Sequence, residues 1–130
     1  MLPVLLALPV GAEPSSTDHL SAQEAVSFLE LMDQAHYDDA WLSLSPLFQS
    51  LNNQAQWQNR QQTIRAAYGA LSSRQLDRIS YRQTYTLSPD GAYVVVQFES
   101  SYTNKANTIE TVVLDCRTTP ECHVREHIIR

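Results

Sequence analysis

The chain has 130 residues, enough for one domain with a real core and too few for two. Apolar residues make up 43% and charged residues 18%, which excludes an intrinsically disordered chain. The net charge of −5, with nine scattered Lys and Arg, excludes a nucleic-acid role and disfavours attraction to anionic lipid. Residues 1–12 form an apolar run ending in small residues, with Val10 and Ala12 at the −3 and −1 positions of a signal cleavage site, although no basic segment precedes it. The run falls short of the ~20 residues that span a bilayer, so no stable membrane insertion is expected after its removal. The alternative is an apolar N-terminal strand. Residues 13–20 read as a flexible mature N-terminus and residues 21–130 as a single domain, periplasmic or secreted.

Ser21-Ala-Gln-Glu24 is a capping-box pattern, predicting a helix to about Gln34 with Ala25, Val26, Leu29 and Met32 on one face. A second helix is expected from Tyr37–Asp39, where acidic residues suit the positive end of the helix dipole. Its stripe is Ala40, Trp41, Leu44, Leu47, Phe48 and Leu51, and Pro46 should kink or break it. A third follows Asn52-Asn53, with Trp57, Ile64, Ala67, Tyr68 and Leu71 inward and Gly69 at its end.

After Leu71 the period changes from helical to alternating, with Ile79, Tyr81, Gln83, Tyr85 and Leu87 on one strand face. A turn at Ser88-Pro-Asp-Gly91 pairs Tyr85 with Val94 and Tyr81 with Phe98. A three-residue loop at Asn104–Ala106 pairs Phe98 with Val112 and Val96 with Leu114. Facing Cys116 with Cys122 sets Leu114 opposite Val124. All three choices put Tyr81, Tyr85, Val94, Val96, Phe98, Val112, Leu114 and Val124 on one face, an agreement that a one-residue slip would break. The expected fold is therefore α+β: three N-terminal helices on a curved four-stranded antiparallel meander. The two cysteines, flanking a turn-forming insert, fit a hairpin disulfide in an oxidising compartment.

That inner face also carries Gln83, Ser100, Glu110 and Glu126. A carboxylate there must be paired, protonated or solvated in an open concavity. Glu110 is expected to pair with Arg74 or Arg65, either as the polar floor of a ligand cleft or as a structural ion pair tying the third helix to the sheet. Tyr81 and Tyr85 could line the cavity mouth or fill it. His123 and His127, four apart on a strand, are separated by roughly 13 Å and cannot chelate one metal. Asp115 and His123 suit an exposed cross-strand pair. His19 and His36 sit at segment ends. No metal or other cofactor is expected, and neither a nucleophile elbow nor a phosphate-binding glycine loop is present. Trp41 and Trp57, at helical spacing, read as core anchors.

Further signals combine in order: Ala40-Trp41, Leu47-Phe48-Gln49, Trp57, Arg65, Gly69-x-Leu71-x-Ser73-Arg74-x-Leu76, Pro89-Asp90-Gly91-x-Tyr93-Val94, Gln97-Phe98 and Glu110-Thr111-Val112. From about Ala22 onward the sequence thereby resembles the bacterial domain-of-unknown-function family 4019. The resemblance implies a small, often exported protein and supplies no catalytic residue. The helices-then-sheet order also resembles, at fold level alone, the cystatin-like cone of nuclear-transport-factor-two-like proteins. The last strand departs from the family: Cys122-His-Val-Arg-Glu-His127 stands where Trp-Arg-Val-x-Gly-Tyr is usual, so the cysteine pair is an addition of this chain. The expected function is non-enzymatic: an exported binding or accessory protein contacting a small ligand or envelope protein through the concave face. The alternatives are an immunity-type protein neutralising a secreted toxin, and a small cone-fold enzyme with an acid/base pair in the cavity.

Overall fold

A computed structural model describes residues 16–118 and 121–130, with side chains from Ser21 onward; the signal-like run at 1–12 lies outside the described residues. Helix α1 spans Ser16–Asp33, beginning five residues before the capping-box pattern. Ser21 is thus a mid-helix residue rather than a cap, fully buried. The buried stripe of α1 is Ala25, Phe28, Leu29 and Met32, spaced i, i+3, i+4, i+7, while Val26 is turned outward at 41% exposure.

The second helical stretch is broken in two, giving four helices instead of three. Helix α2 spans Tyr37–Leu42 and α3 Pro46–Leu51. Pro46 cannot donate to a continuing helix but suits a first turn. Ser45 caps it by accepting from the Phe48 amide at 3.1 Å. The break leaves Leu51 exposed rather than on a buried stripe. It also frees the backbone at Ser43–Ser45 to bond Val124 on both sides (Ser45 N–H to Val124 O, 2.7 Å; Val124 N–H to Ser43 O, 2.9 Å).

Helix α4 spans Gln54–Tyr68, capped by Asn53 and stopped by Gly69, whose φ of +82° favours glycine. A Cβ there would stand 2.0 Å from Thr103 Oγ1, because the turn after the second strand packs against this helix exit. Trp57 is buried, whereas Ile64 and Ala67, expected inward, are exposed, and Leu71 already belongs to the sheet.

The sheet is the expected four-stranded antiparallel meander, open at both edges, in the order β1 (Leu71–Arg82), β2 (Tyr93–Tyr102), β3 (Lys105–Asp115) and β4 (His123–Ile129). Two registers differ from expectation by even steps. Val94 faces Tyr81 rather than Tyr85, and Phe98 faces Glu110 rather than Val112. Even steps preserve the face, so Val94, Val96, Phe98, Val112, Leu114 and Val124 still make the sheet side of the core, against Phe28, Leu29, Met32, Trp41 and Trp57. Leu114 faces Val124 as expected, and Cys116 and Cys122 form a disulfide with Cα atoms 4.2 Å apart.

Two bulges change what the alternation predicts. In β1, Leu76 faces Phe98 and Arg78 faces Gln97, leaving Asp77 as the extra residue. In β4, Val113 faces Glu126 and Val112 faces His127, leaving Arg125 as the extra residue. The second bulge reverses the expected faces: His127 turns toward the helices and Glu126 joins the face of Val113.

Candidate functional site

The helix layer and the sheet meet around one buried carboxylate. Glu110, in the middle of β3, has no solvent exposure. Its Oε1 accepts from Arg74 Nε (3.0 Å), Arg74 Nη2 (2.8 Å) and the Tyr102 hydroxyl (2.6 Å). Oε2 lies 2.9 Å from His127 Nε2 and 3.9 Å from Arg65 Nη2. An ionised carboxylate only accepts, so the imidazole proton in this contact sits on Nε2.

Each partner arrives from a different element. Arg74 stands opposite Ser100 on the inner face of β1, and Tyr102 lies in phase with Ser100 at the end of β2. The β4 bulge delivers His127. Arg65 comes from the last turn of α4, its guanidinium 5.4 Å from the Tyr102 ring centroid. Asp33, the last residue of α1, joins the two arginines: Oδ1 is 2.7 Å from Arg65 Nη1, and Oδ2 is 2.6 Å from Arg74 Nη1. Two arginines thus face two carboxylates in a network that, with Tyr102 and His127, ties α1, α4 and all four strands together.

Burial by itself would push the Glu110 carboxyl up. The hydrogen bond and electrostatic pull of His127, the Tyr102 hydroxyl and the Arg74 guanidinium more than offset this, holding the group well below the ordinary carboxylate range. Burial and the Glu110 hydrogen bond push the Tyr102 hydroxyl above its ordinary value.

Of the residues singled out in the sequence, Glu110, Arg74 and Arg65 come together. Gln83, Tyr81 and Tyr85 do not. Tyr81 is 56% exposed on the edge strand β1. Gln83 lies beyond the end of β1, exposed, with its carbonyl accepting from the Gly91 amide. Tyr85 sits in the β1–β2 connection, which folds over the opposite face of the sheet. Its ring packs on Tyr93 (centroids 5.8 Å apart), and its hydroxyl donates to Glu126. Asp115 and His123 stand opposite each other as expected, but Asp115 is buried rather than exposed and its carboxylate takes Arg117, with Nη2 at 2.6 Å. Trp41 and Trp57 are core anchors as expected, with ring centroids 5.7 Å apart. Among the described residues no group of three or more His, Cys, Asp or Glu converges to hold a metal.

Asp33, Tyr102 and His127 were missed by the sequence reasoning. Asp33 carried a signal, because an acidic side chain at a helix C-terminus opposes the dipole and calls for a cation nearby. Tyr102 was legible as the next inward residue after Phe98 and Ser100. His127 had no such signal without the bulge.

The space between the helices and the sheet is filled at its centre by core side chains, and room remains at its margins. A groove of about 750 Å³ opens between the ends of α1 and α4 and the start of β1, lined in part by Asp33, Tyr37, Arg65 and Gly69. A smaller cleft of about 190 Å³ lies between α1, α3, α4 and β4. Phe28, Leu44, Phe48 and Trp57 form its apolar wall, and Arg60, Gln61, Glu126 and His127 its polar side.

No curated protein and no solved structure matches this chain. Residues 24–121, more than half of the sequence, match the family described as protein of unknown function DUF4019, and the chain belongs to that family.

Proposed function

We propose that this chain is an exported, non-enzymatic binding or accessory protein of the periplasm or medium, in which the Glu110 network is scaffold. The observation that carries this reading is the state of Glu110. A catalytic acid or base needs an oxygen within reach of substrate. Here the carboxylate is fully enclosed, with every oxygen already engaged. Ligand contact then falls to the clefts at the margins of the concave face, since its centre is occupied by core side chains. The four helices on one face of the meander suit a cystatin-like cone, and the disulfide suits an oxidising compartment.

A second reading, neutralisation of a basic partner, draws on the charge pattern. No Lys or Arg precedes Arg60, so Glu24, Glu30, Asp38 and Asp39 give the α1–α2 layer a single sign.

The test uses full-length wild-type and Glu110→Gln proteins, matched by circular dichroism, exposed to a small-molecule extract and to chromogenic ester, glycoside and phosphate substrates. Mass spectrometry reads what is retained and what is converted. Retention of unchanged compounds without turnover is expected. Turnover lost in Glu110→Gln at unchanged fold would overturn the reading. For location, two free thiols in protein isolated from the periplasm would contradict the disulfide.

A further inference from the structure

The cleft beside His127 combines three properties that together specify a ligand. Its walls are largely aromatic: Phe28 meets the His127 ring edge-on with centroids 5.6 Å apart, and Phe48 and Trp57 also line it. Its volume of about 190 Å³ suits one ring, since an engineered apolar cavity of about 150 Å³ accepts benzene. At its polar side lies an imidazole whose side chain is only 7% exposed.

The hydrogen bonding of that imidazole is half used. Nε2 is committed to Glu110, and Nδ1 has no partner among the described residues. Nδ1 is not sealed in either. Among the described residues the enclosed side-chain atoms without partners are Ser21 Oγ, Arg65 Nε and Nη2, and Ser100 Oγ. With Nε2 given to Glu110, Nδ1 is the ring's remaining hydrogen-bonding atom.

We infer that this cleft is a binding site for a small, single-ring aromatic molecule carrying one hydroxyl, phenol-like in chemistry, with the ring against Phe28, Phe48 and Trp57 and the hydroxyl on His127 Nδ1. The Glu110 network then serves the site indirectly. It fixes the imidazole's orientation, as carboxylates do for histidines whose second nitrogen does the binding. The inference rests on the non-enzymatic binding reading and names its ligand class.

The experiment compares 4-fluorophenol with 4-fluorotoluene, which share ring and shape and differ in the hydroxyl. Fluorine NMR of each, titrated with full-length protein, gives affinity. The Trp57 indole N–H resonance of 15N-labelled protein reports location. The phenol is expected to bind in the millimolar range or tighter, about tenfold better than the toluene, the worth of one made hydrogen bond. Its binding should move the Trp57 resonance. Phe48→Ala should weaken both ligands and keep their ratio, whereas His127→Phe should bring the ratio to one. Where His127→Phe does not fold, the wild-type ligand pair and Phe48→Ala still decide. Equal binding of the two ligands, no saturable binding, or an unmoved Trp57 resonance overturns the inference. Recovery of chemically altered phenol would instead overturn the non-enzymatic reading.

Discussion

Replacing Arg74 by Met keeps much of the apolar stem and removes the guanidinium. The change deletes two hydrogen bonds to Glu110 (3.0 and 2.8 Å), two to Asp33 (2.6 and 3.0 Å) and one to the Tyr102 hydroxyl (3.0 Å). Removing one partner of a buried pair costs about 3–5 kcal/mol when the other charge is stranded. Glu110 is not fully stranded, because Tyr102 and His127 remain bonded and Arg65 stands 3.9 Å away; Asp33 also keeps Arg65. The expected cost is therefore at the lower end, about 3 kcal/mol. For a domain of this size that lowers Tm by roughly 10 °C. Urea unfolding followed by circular dichroism measures it, and the double variant Arg74→Met/Glu110→Gln completes a cycle. The double variant should recover at least about 1 kcal/mol relative to additivity, since the uncompensated carboxylate is gone. A single-variant cost below about 1 kcal/mol, or strict additivity, would show that the network does not hold the layers together.

Acid should weaken the fold. Glu110 and Asp115 sit below their ordinary values of 4.5 and 3.8, so the native state binds fewer protons than the unfolded chain. Their stabilisation is present above those values and lost as pH falls through them toward the folded pKa values. Urea midpoints measured on the way down should drop less steeply in Glu110→Gln; identical slopes would remove Glu110 from the account. Reducing Cys116–Cys122 should cost about 2 kcal/mol, given the short loop it closes, and thermal melts with and without reductant measure this. Gly69→Ala should destabilise by about 1–3 kcal/mol, because φ is +82° and the new methyl meets Thr103; Thr103→Ala in the same chain should relieve only the steric part.

What could be read in the sequence was whatever a residue type signals locally. Ser45-Pro46, Asn53 and Gly69 mark helix boundaries because each supplies a cap or a conformation that few other residues supply. The inner faces of β2 and β3 were legible because both strands are buried and alternate, and an even register error leaves the faces unchanged. The edge strand β1 was misplaced because much of it is exposed on both faces, so the segment from Leu71 carries no alternation to detect. The bulges at Asp77 and Arg125 demand no particular residue, and one of them decides which of Glu126 and His127 faces the core. Glu110 and its arginines were legible from cost alone: a carboxylate on a buried face needs a cation, and only Arg65 and Arg74 lay within topological reach.

Arg65, Gly69, Arg74 and Glu110 all lie inside residues 24–121, whereas Glu126 and His127 lie outside. The matched portion thus contains the arginines and the carboxylate of the network that joins helices to sheet. The last strand supplies the imidazole that completes the hydrogen bonding of Glu110 and lines the cleft. A chain with an apolar ring at that position would keep the Arg74–Glu110 pair while losing the imidazole's hydrogen bonds.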